Sequence, residues 1–294
     1  MSVAYLPSPS RGEWRLGPIP VRACAPCIVL GVIVAVWVAN RRYRGAGGRV
    51  GVIIDVAAWA VPLGLTGARV YNVLTDYELY FGGGRDWVNV FKVWDGGLGL
   101  PGAIAFGLAG AWIGCRRAGV PLAPVAGAAA VAIPIGQAIG RCGNWFNQEL
   151  YGRPSGLPWA LQISPARRLP GYESFATFQP AFLYEALWDL LVAGAVIWAT
   201  RRFLLTGDQA FAFYVAAFAV GMFAVQTVRI DYSHHILGLR VNEWAAIVGF
   251  AAAAGYLYRT RRTRPRIPVP ALGAPPAADS GAEPGAGSRA QSGA

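Results

Sequence analysis

The residues best suited to chemistry in this chain lie in one polar stretch, Gly140–Gly152. Arg141, Asn144, Asn147 and Glu149 follow directly on an apolar segment. A charge at the end of a membrane segment is costly to bury, so it commonly has a polar partner or a ligand. The planar fork of an arginine fits two oxygens of a phosphate. The pattern therefore predicts a membrane protein that binds a lipid phosphate.

The composition favours an integral membrane protein over a large soluble domain. Hydrophobic residues make up 55% of the 294 residues and charged residues only 14%, whereas soluble domains carry about 25% charge. Seven apolar segments, at residues 24–39, 50–66, 98–115, 123–139, 181–200, 210–228 and 241–258, approach the length of a transmembrane helix. We therefore predict an all-α integral membrane protein with about seven transmembrane helices.

Basic residues are concentrated after every second apolar segment. They follow the first, third, fifth and seventh segments: Arg41, Arg42, Arg44, Arg49, Arg116, Arg117, Arg201, Arg202, Arg259, Arg261, Arg262, Arg264 and Arg266. Because Lys and Arg accumulate on the cytoplasmic side, this distribution predicts an N-terminus outside and a cytoplasmic C-terminus. It also accounts for the formal net charge of +11 without nucleic-acid binding.

The predicted topology divides the chain into three regions. We expect an extracytoplasmic N-terminal segment at residues 1–22, a membrane domain at 23–260 and a disordered cytoplasmic tail at 261–294, which is rich in Pro, Ala, Gly and Ser. The first apolar segment begins after more than 20 residues and ends in a basic cluster. We therefore interpret it as a retained helix rather than a cleaved signal peptide.

Three loops are expected outside, near residues 68–97, 140–180 and 229–240, and Arg141 begins the longest of them. Tyr184 and Glu185 lie at the predicted start of the fifth helix. A carboxylate at this depth needs a partner, and Arg141 or Arg229 could supply it. Arg229 could equally pair with Asp231 in a solvated loop, as Arg240 could with Glu243.

Two further patterns leave alternatives open. Cys24 and Cys27 have the spacing of a redox motif, but no βαβ pattern surrounds them, so packing on a helix is the simpler interpretation. The glycine-rich run at 96–102 could form a kinked lipid-lining entry or pack helices closely. With only two histidines, His234 and His235, no metal site is expected.

These segments together resemble the phosphatidylglycerol–prolipoprotein diacylglyceryl transferase family, of which the chain would be a divergent member. The stretch Gly140–Gly152 is similar to the family signature G-R-x-G-N-F-x-N-x-E-x-x-G, with Trp145 in place of Phe. Further family features follow the same order along residues 15–260: Gly67–Tyr71, the Gly-Gly-Leu-Gly run, Pro180–Glu185 and Arg229–Asp231.

The resemblance implies a reaction in which the sulfhydryl of a prolipoprotein lipobox cysteine attacks the diacylglyceryl carbon of phosphatidylglycerol. It implies a protein of the cell membrane, without metal or organic cofactor, whose partners are phosphatidylglycerol, prolipoprotein signal peptides and the bilayer. The implied catalytic residues are Arg141, Asn144 and Glu149. The implied substrate-binding residues are Arg141, Asn147, Tyr184, Glu185, Arg229 and Gly152, with Gly152 allowing a tight turn.

Several positions depart from the family pattern. Pro101 replaces a common histidine and Cys24 a common tyrosine, while Phe218, Met222 and Gln226 replace Tyr, Arg and Glu of the sixth helix. Two alternatives to an active transferase follow. One is a degenerate relative that binds anionic lipid or signal peptides without transfer, and the other is a membrane thiol oxidoreductase.

Overall fold

The computed structural model describes residues 5–9, 12–16, 19–81, 87–92, 97, 99–233 and 235–262. Within these ranges the chain forms seven α-helices: α1 (Cys24–Gly45), α2 (Val52–Thr75), α3 (Leu100–Ala118), α4 (Leu122–Asn147), α5 (Ala181–Phe203), α6 (Gly207–Gln226) and α7 (Val241–Thr260). Three short two-stranded antiparallel sheets accompany them: β1 (Glu13–Leu16) with β2 (Ile19–Arg22), β3 (Leu161–Gln162) with β4 (Thr177–Phe178), and β5 (His235–Ile236) with β6 (Leu239–Arg240). Most of the predicted tail, from residue 263, lies outside the described residues.

The helices form a multi-pass membrane bundle. Five of them, α1, α2, α4, α5 and α6, are long and apolar enough to cross a membrane, whereas α3 and α7 do not meet both requirements. Many large apolar side chains on their outer faces are exposed, including Ile33, Trp37 and Leu191. In a bilayer these side chains face hydrocarbon rather than water. The bundle is centred on α4, which packs against α1 on one side and against α5 and α6 on the other.

The predicted outer loop at 140–180 begins later than expected, because α4 continues to Asn147. The helix ends only where Gln148 adopts a left-handed backbone conformation, with φ 54°. No proline interrupts the stretch from 140 to 147, so the backbone hydrogen bonds of the helix can continue through it. Arg141 therefore projects from a rigid helix instead of standing at the start of a loop.

Glycines allow the helices to approach closely at this point and elsewhere. A Cβ atom at position 143 would lie 2.7 Å from the Cα of Cys24, so α4 and the first turn of α1 touch through backbone. A Cβ at position 102 would lie 2.1 Å from the carbonyl oxygen of Gly67, where α2 and α3 meet. Gly102 therefore supports the interpretation that the glycine-rich run packs helices closely. Residues 96 and 98 of this run lie outside the described part of the chain.

The outer loop predicted at 68–97 also begins later than expected, because α2 runs to Thr75. Arg69 lies in this added length and is buried. Its guanidinium donates to the carbonyl oxygens of Val90 (2.7 Å) and Gly97 (3.1 Å) and stacks over the ring of Tyr80. Its role is to fasten the described part of that loop to the bundle.

Residues 148–180 fold back over the end of α4 and form a small core together with Phe182 of α5. Its members are aromatic or aliphatic: Tyr151, Leu161, Ile163, Phe178 and Phe182. The N-terminal segment joins this layer, since Trp145 donates from Nε1 to the carbonyl of Pro7 (3.1 Å) and Gln148 donates from Nε2 to that of Pro9 (3.0 Å). The C-terminal end of α4 is therefore held by this layer and by the N-terminal segment, in addition to the neighbouring helices.

Candidate active site

Arg141 and Glu185 meet at one end of the bundle, where α4 ends and α5 begins. Arg141 Nη1 lies 3.1 Å from Glu185 Oε2, and Arg229 Nη1 lies 3.7 Å from Glu185 Oε1. Both partners predicted for Glu185 are therefore correct. The Arg141 contact is an ion pair without hydrogen-bond geometry, because Glu185 Oε2 has no hydrogen-bond partner among the described residues.

A second carboxylate extends the network. Asp231 accepts two hydrogen bonds from Arg229, from Nε at 2.7 Å and from Nη2 at 2.9 Å. Arg240 Nη2 lies 3.3 Å from Asp231 Oδ2. Three arginines are thus held by two carboxylates, which leaves one positive charge in excess among these five groups.

Arg240 was not among the predicted site residues. The sequence suggested that it pairs with Glu243, but its buried guanidinium instead donates from Nη1 to Gln226 Oε1 at 3.1 Å. The Glu243 carboxylate accepts the backbone N–H of Arg240 and caps α7. Gln226, at the position of a family glutamate, therefore binds an arginine of β6 rather than one of α6. The hairpin β5–β6 positions Arg240 for this contact, which the helical periodicity of α6 could not predict.

The arginines differ in how much of each side chain remains accessible. The Arg141 side chain is 26% exposed, compared with 8% for Arg229 and 7% for Arg240. Arg229 and Arg240 already donate hydrogen bonds to Asp231, Gln226 and nearby carbonyl oxygens. Arg141 is therefore the arginine of this network that can still bind a ligand.

A small cavity lies beside Arg141, between α4, α5 and α6. The volume open to the centre of a water molecule is about 10 Å³, which suits roughly one water. Its lining combines polar and apolar side chains: Arg141, Glu185, Trp188, Asp189, Phe218, Gly221 and Met222. Two positions that depart from the family pattern, Phe218 and Met222, therefore face this cavity.

Asp189 is the functional candidate that sequence reasoning missed. It is 2% exposed, and its Oδ2 atom has no hydrogen-bond partner among the described residues. It lies one helical turn beyond Glu185, as Gln137 lies one turn before Arg141, so two polar rows face each other across α4 and α5. Tyr214 of α6 donates to Gln137 Oε1 at 3.0 Å and closes the inner end of this column. The i, i+4 spacing of Glu185 and Asp189 was the available signal.

The other predicted residues form a separate group nearer the α4 terminus. Asn147 donates from Nδ2 to Glu149 Oε1 at 3.0 Å, and Asn144 is buried in the last turns of α4. Glu149 is exposed and forms no ion pair with an arginine among the described residues. Tyr184 turns away from its neighbour Glu185, and its hydroxyl accepts from Trp159 Nε1 at 3.1 Å.

Gly152 connects this group to the arginine network, but not through the expected tight turn. Its φ is not in the left-handed region, which is occupied instead by Gln148 and Leu150. A Cβ at position 152 would lie 3.0 Å from the carbonyl oxygen of Val228, because residue 152 pairs with Arg229 in a β-bridge. Close backbone approach is therefore the reason for glycine here.

Tyr151 anchors the loop next to this bridge. Its hydroxyl donates to the carbonyl of Arg167 at 2.9 Å and accepts from the N–H of Leu169 at 2.7 Å. Burial raises the pKa of the Tyr151 phenol, so the hydroxyl keeps its proton and its donor role. The backbone that carries Gly152 is held in place by these bonds.

Comparison with known proteins decides the family. The model of the prolipoprotein diacylglyceryl transferase family matches residues 12–259. The chain belongs to this family. The phosphatidylglycerol–prolipoprotein diacylglyceryl transferase 1 of Streptomyces coelicolor is 55% identical over 267 residues, which cover 90% of this chain and 76% of the relative. The corresponding transferase of Streptomyces avermitilis is also 55% identical and covers 90% and 77%.

A more distant member of the diacylglyceryl transferase family covers nearly the whole chain. The transferase of Rhodococcus jostii is 44% identical over an alignment of 303 positions, which covers 98% of this chain and 84% of the relative. The resemblance predicted from the signature is therefore confirmed. These relatives favour a membrane transferase over the degenerate lipid binder and over the thiol oxidoreductase. Cys24 and Cys27 are both free, in the first turn of α1, and form no disulfide.

Proposed function

We propose that this protein transfers the diacylglyceryl group of phosphatidylglycerol to the sulfhydryl of the lipobox cysteine of prolipoproteins, with release of glycerol phosphate. Membership of the diacylglyceryl transferase family and the activity named for the Streptomyces relatives support this proposal. The observation that carries it is the accessible guanidinium of Arg141, held by its ion pair with Glu185 at the edge of a buried network.

Arg141 binds the phosphate of the lipid in this proposal. Glu185 fixes one Nη atom by an ion pair and leaves the rest of the fork available. As the bond between the glyceryl carbon and the phosphate oxygen breaks, negative charge grows on the leaving phosphate. A donor already aimed at that position stabilises the transition state more than the ground state. Arg229 contributes indirectly by holding Glu185.

The thiol proton has a suitable acceptor in Asp189. In the proposed step the proton passes from sulfur to Asp189 Oδ2, directly or through one water in the cavity. The resulting thiolate attacks the glyceryl carbon, and glycerol phosphate leaves with the bonding electron pair. Asp189 then returns its proton to the released phosphate or to water. This proposed base lies on α5. Pro101, which replaces the histidine common in the family, lies instead in the first turn of α3, where proline is favoured.

The second polar group orients the substrates. Asn144, Asn147 and Glu149 lie on the last turn of α4 and just beyond it, close to the start of α1. We assign them to the glycerol headgroup and to the backbone of the signal peptide. Gly152 and Tyr184 then shape the loop that covers these substrates.

The protein lies in the cell membrane with seven spans, the N-terminus outside and the C-terminus in the cytoplasm. In this arrangement α3 and α7 complete the set begun by the five longer helices. Basic residues at the ends of α1, α3, α5 and α7 support the orientation, since they share one end of the bundle. The transfer site then opens towards the outer leaflet, where secreted prolipoproteins arrive.

Transfer of labelled diacylglycerol from phosphatidylglycerol to a synthetic lipobox peptide tests the proposal. The purified full-length protein should form a thioether-linked product. Arg141→Ala should lower the rate by about 100-fold or more, as loss of a transition-state donor does elsewhere. Arg141→Lys should recover only part of it, because an ammonium cannot bind two oxygens in a fixed fork.

Arg167→Ala is the matched control, because Arg167 is an exposed arginine of the covering loop outside the network. It should retain the wild-type rate. Near-wild-type transfer by a folded Arg141→Ala variant would overturn the assignment of Arg141. Lipid binding without any product from the wild-type protein would overturn the transferase itself and favour the degenerate binder.

A further inference from the structure

Five exposed arginines at the end of the bundle opposite the transfer site lie over aromatic rings. The distances from guanidinium carbon to ring centroid are 5.9 Å for Arg41 over Trp37, 5.0 Å for Arg116 over Trp112, 4.5 Å for Arg117 over Trp59, 5.6 Å for Arg202 over Phe203 and 4.2 Å for Arg261 over Tyr258. Each distance is within the range of a cation–π interaction. These five arginines are called the arginine girdle below.

The spacing of these residues along the helices explains the stacking. Trp37 and Arg41 are four residues apart on α1, as are Trp112 and Arg116 on α3, so each pair lies on one face of its helix. The arginine is one turn nearer to the end of the helix than the ring. Each ring therefore lies at the edge of the hydrocarbon, and each guanidinium lies at the depth of the lipid headgroups.

The charge of the arginine girdle is not neutralised within the described part of the chain, where no carboxylate forms an ion pair with its members. Two acidic residues begin helices at this end, Asp55 in α2 and Asp208 in α6. Asp208 accepts a hydrogen bond from Tyr256 instead. Basic residues in the last turns of α1, α3, α5 and α7 therefore make this end of the bundle positive.

The stacked geometry leaves the arginines able to bind an anion. A ring covers one face of each guanidinium, whereas the N–H donors lie around its edge and can bind two oxygens of a phosphate. The rings are exposed too, from 36% for Trp59 to 65% for Tyr258. They continue the exposed apolar surface of the helices, which faces lipid in a bilayer. An apolar group below a phosphate, as in a phospholipid, therefore fits this surface better than a soluble anion.

We propose that the arginine girdle binds the phosphates of anionic phospholipids in the leaflet around this end of the bundle. Stacking orients each guanidinium in advance, so less side-chain freedom is lost on binding than for an unstacked arginine. A zwitterionic phospholipid also offers a phosphate, but its own cation cancels the attraction. The site does not depend on the proposed transfer reaction. Arg41 follows Cys24, which packs near Arg141, by 17 residues on α1, or roughly 25 Å along a helix.

Lipid retention by the full-length protein tests the arginine girdle. The protein is equilibrated in micelles with equal amounts of phosphatidylserine and phosphatidylcholine, and the retained lipids are counted by native mass spectrometry. Phosphatidylserine replaces phosphatidylglycerol because the latter is the proposed substrate. The wild-type protein should retain an excess of phosphatidylserine. Replacing the three tryptophan-stacked arginines together should lower that excess about fivefold, the effect of one basic contact per lipid: Arg41→Gln, Arg116→Gln and Arg117→Gln.

The matched control removes three exposed arginines of the same end that stack on no ring among the described residues: Arg44→Gln, Arg259→Gln and Arg262→Gln. It loses the same charge and should keep most of the excess. An equal loss in the two triple variants would overturn the arginine girdle.

Three further arms complete the test. Lysine at the three stacked positions keeps the charge and should retain only part of the excess, because lysine has no planar fork; this variant keeps the test decisive if the glutamine variant fails to fold. Arg141→Ala should retain the wild-type excess, which separates the arginine girdle from the transfer site. Displacement of the lipid by inorganic phosphate at equal concentration would overturn the lipid source, and equal retention of both lipids by the wild type would overturn the proposal.

Discussion

Buried arginines have opposite surroundings at the two ends of this bundle. At one end Arg141, Arg229 and Arg240 are held by Glu185 and Asp231. At the other end Arg42 is just as deeply buried as Arg240, yet its Nε and Nη1 atoms have no hydrogen-bond partner among the described residues. Low polarity makes both arrangements costly, so each must be compensated locally.

The difference indicates how the paired end meets its ligand. A paired network is complete without a ligand, so it can hold Arg141 in one orientation and respond mainly to charge that develops during the reaction. This arrangement suits turnover, in which the phosphate must leave again.

The largest effect should follow removal of the carboxylate between two arginines. Glu185→Gln keeps the shape of the side chain but leaves Arg141 and Arg229 without their shared partner. We expect a loss of about 3–5 kcal/mol in stability, typical of a broken buried ion pair. Transfer should also fall below detection. Thermal unfolding in detergent, together with the transfer assay, measures both.

Glu78→Gln is the control for that change, because Glu78 is exposed after the end of α2. It should unfold at the wild-type temperature. An unchanged melting temperature for Glu185→Gln would mean that the paired end is no more dependent on its carboxylates than the surface is, and the comparison between the two ends would fail.

A smaller effect, on rate alone, is expected at Asp189. Asp189→Asn preserves the size of the side chain but cannot accept a proton, so the transfer rate at neutral pH should fall about 100-fold. The variant must then rely on thiol that ionises unaided, with a pKa near 8.5. Its rate should therefore rise about tenfold per pH unit towards that value, while the wild-type rate changes less.

This pH profile separates proton transfer from a structural role. Arg141, Glu185 and Tyr214 surround Asp189 in both proteins, so their contribution is common to the two profiles. A parallel loss at every pH would show that Asp189 only supports packing. Partial recovery in Asp189→Glu would support the proton acceptor, because the longer side chain still reaches the same cavity.

The smallest effect concerns the helix contact that positions Arg141. Gly143→Ala places a methyl group against the backbone of Cys24 and should destabilise the protein by about 1–3 kcal/mol through overpacking. Gly140→Ala, one turn away on α4, meets no atom within 4 Å and should be neutral or slightly stabilising. Equal melting temperatures for the two variants would contradict the close approach of α1 and α4.

Much of the membrane domain could be predicted because its signals are local. Seven apolar segments gave seven helices in order, and a lone glutamate at the start of α5 correctly called for Arg141 or Arg229. Helix ends were less predictable. The polar composition of residues 140–147 suggested a loop, whereas packing of Gly143 on Cys24 and support from Trp145 and Gln148 extend the helix.

The parts that could not be predicted depend on contacts between distant elements. Arg240 reaches Gln226 only because the β5–β6 hairpin returns the chain over the end of α6. In the sequence, Asp189 is a single acidic residue in an apolar helix. Its role depends on Gln137 and Arg141, which face it from α4. Arg42 is one of many basic residues at a helix end, and only its burial distinguishes it from Arg44.

One side-by-side measurement tests the difference between the ends most directly. Transfer rates of Arg141→Ala and Arg42→Gln are compared in proteins that unfold cooperatively. The account predicts a loss of about 100-fold or more for Arg141→Ala, and a rate close to that of the wild type for Arg42→Gln. Equal losses in the two variants would contradict the claim that only the paired network binds the reacting phosphate.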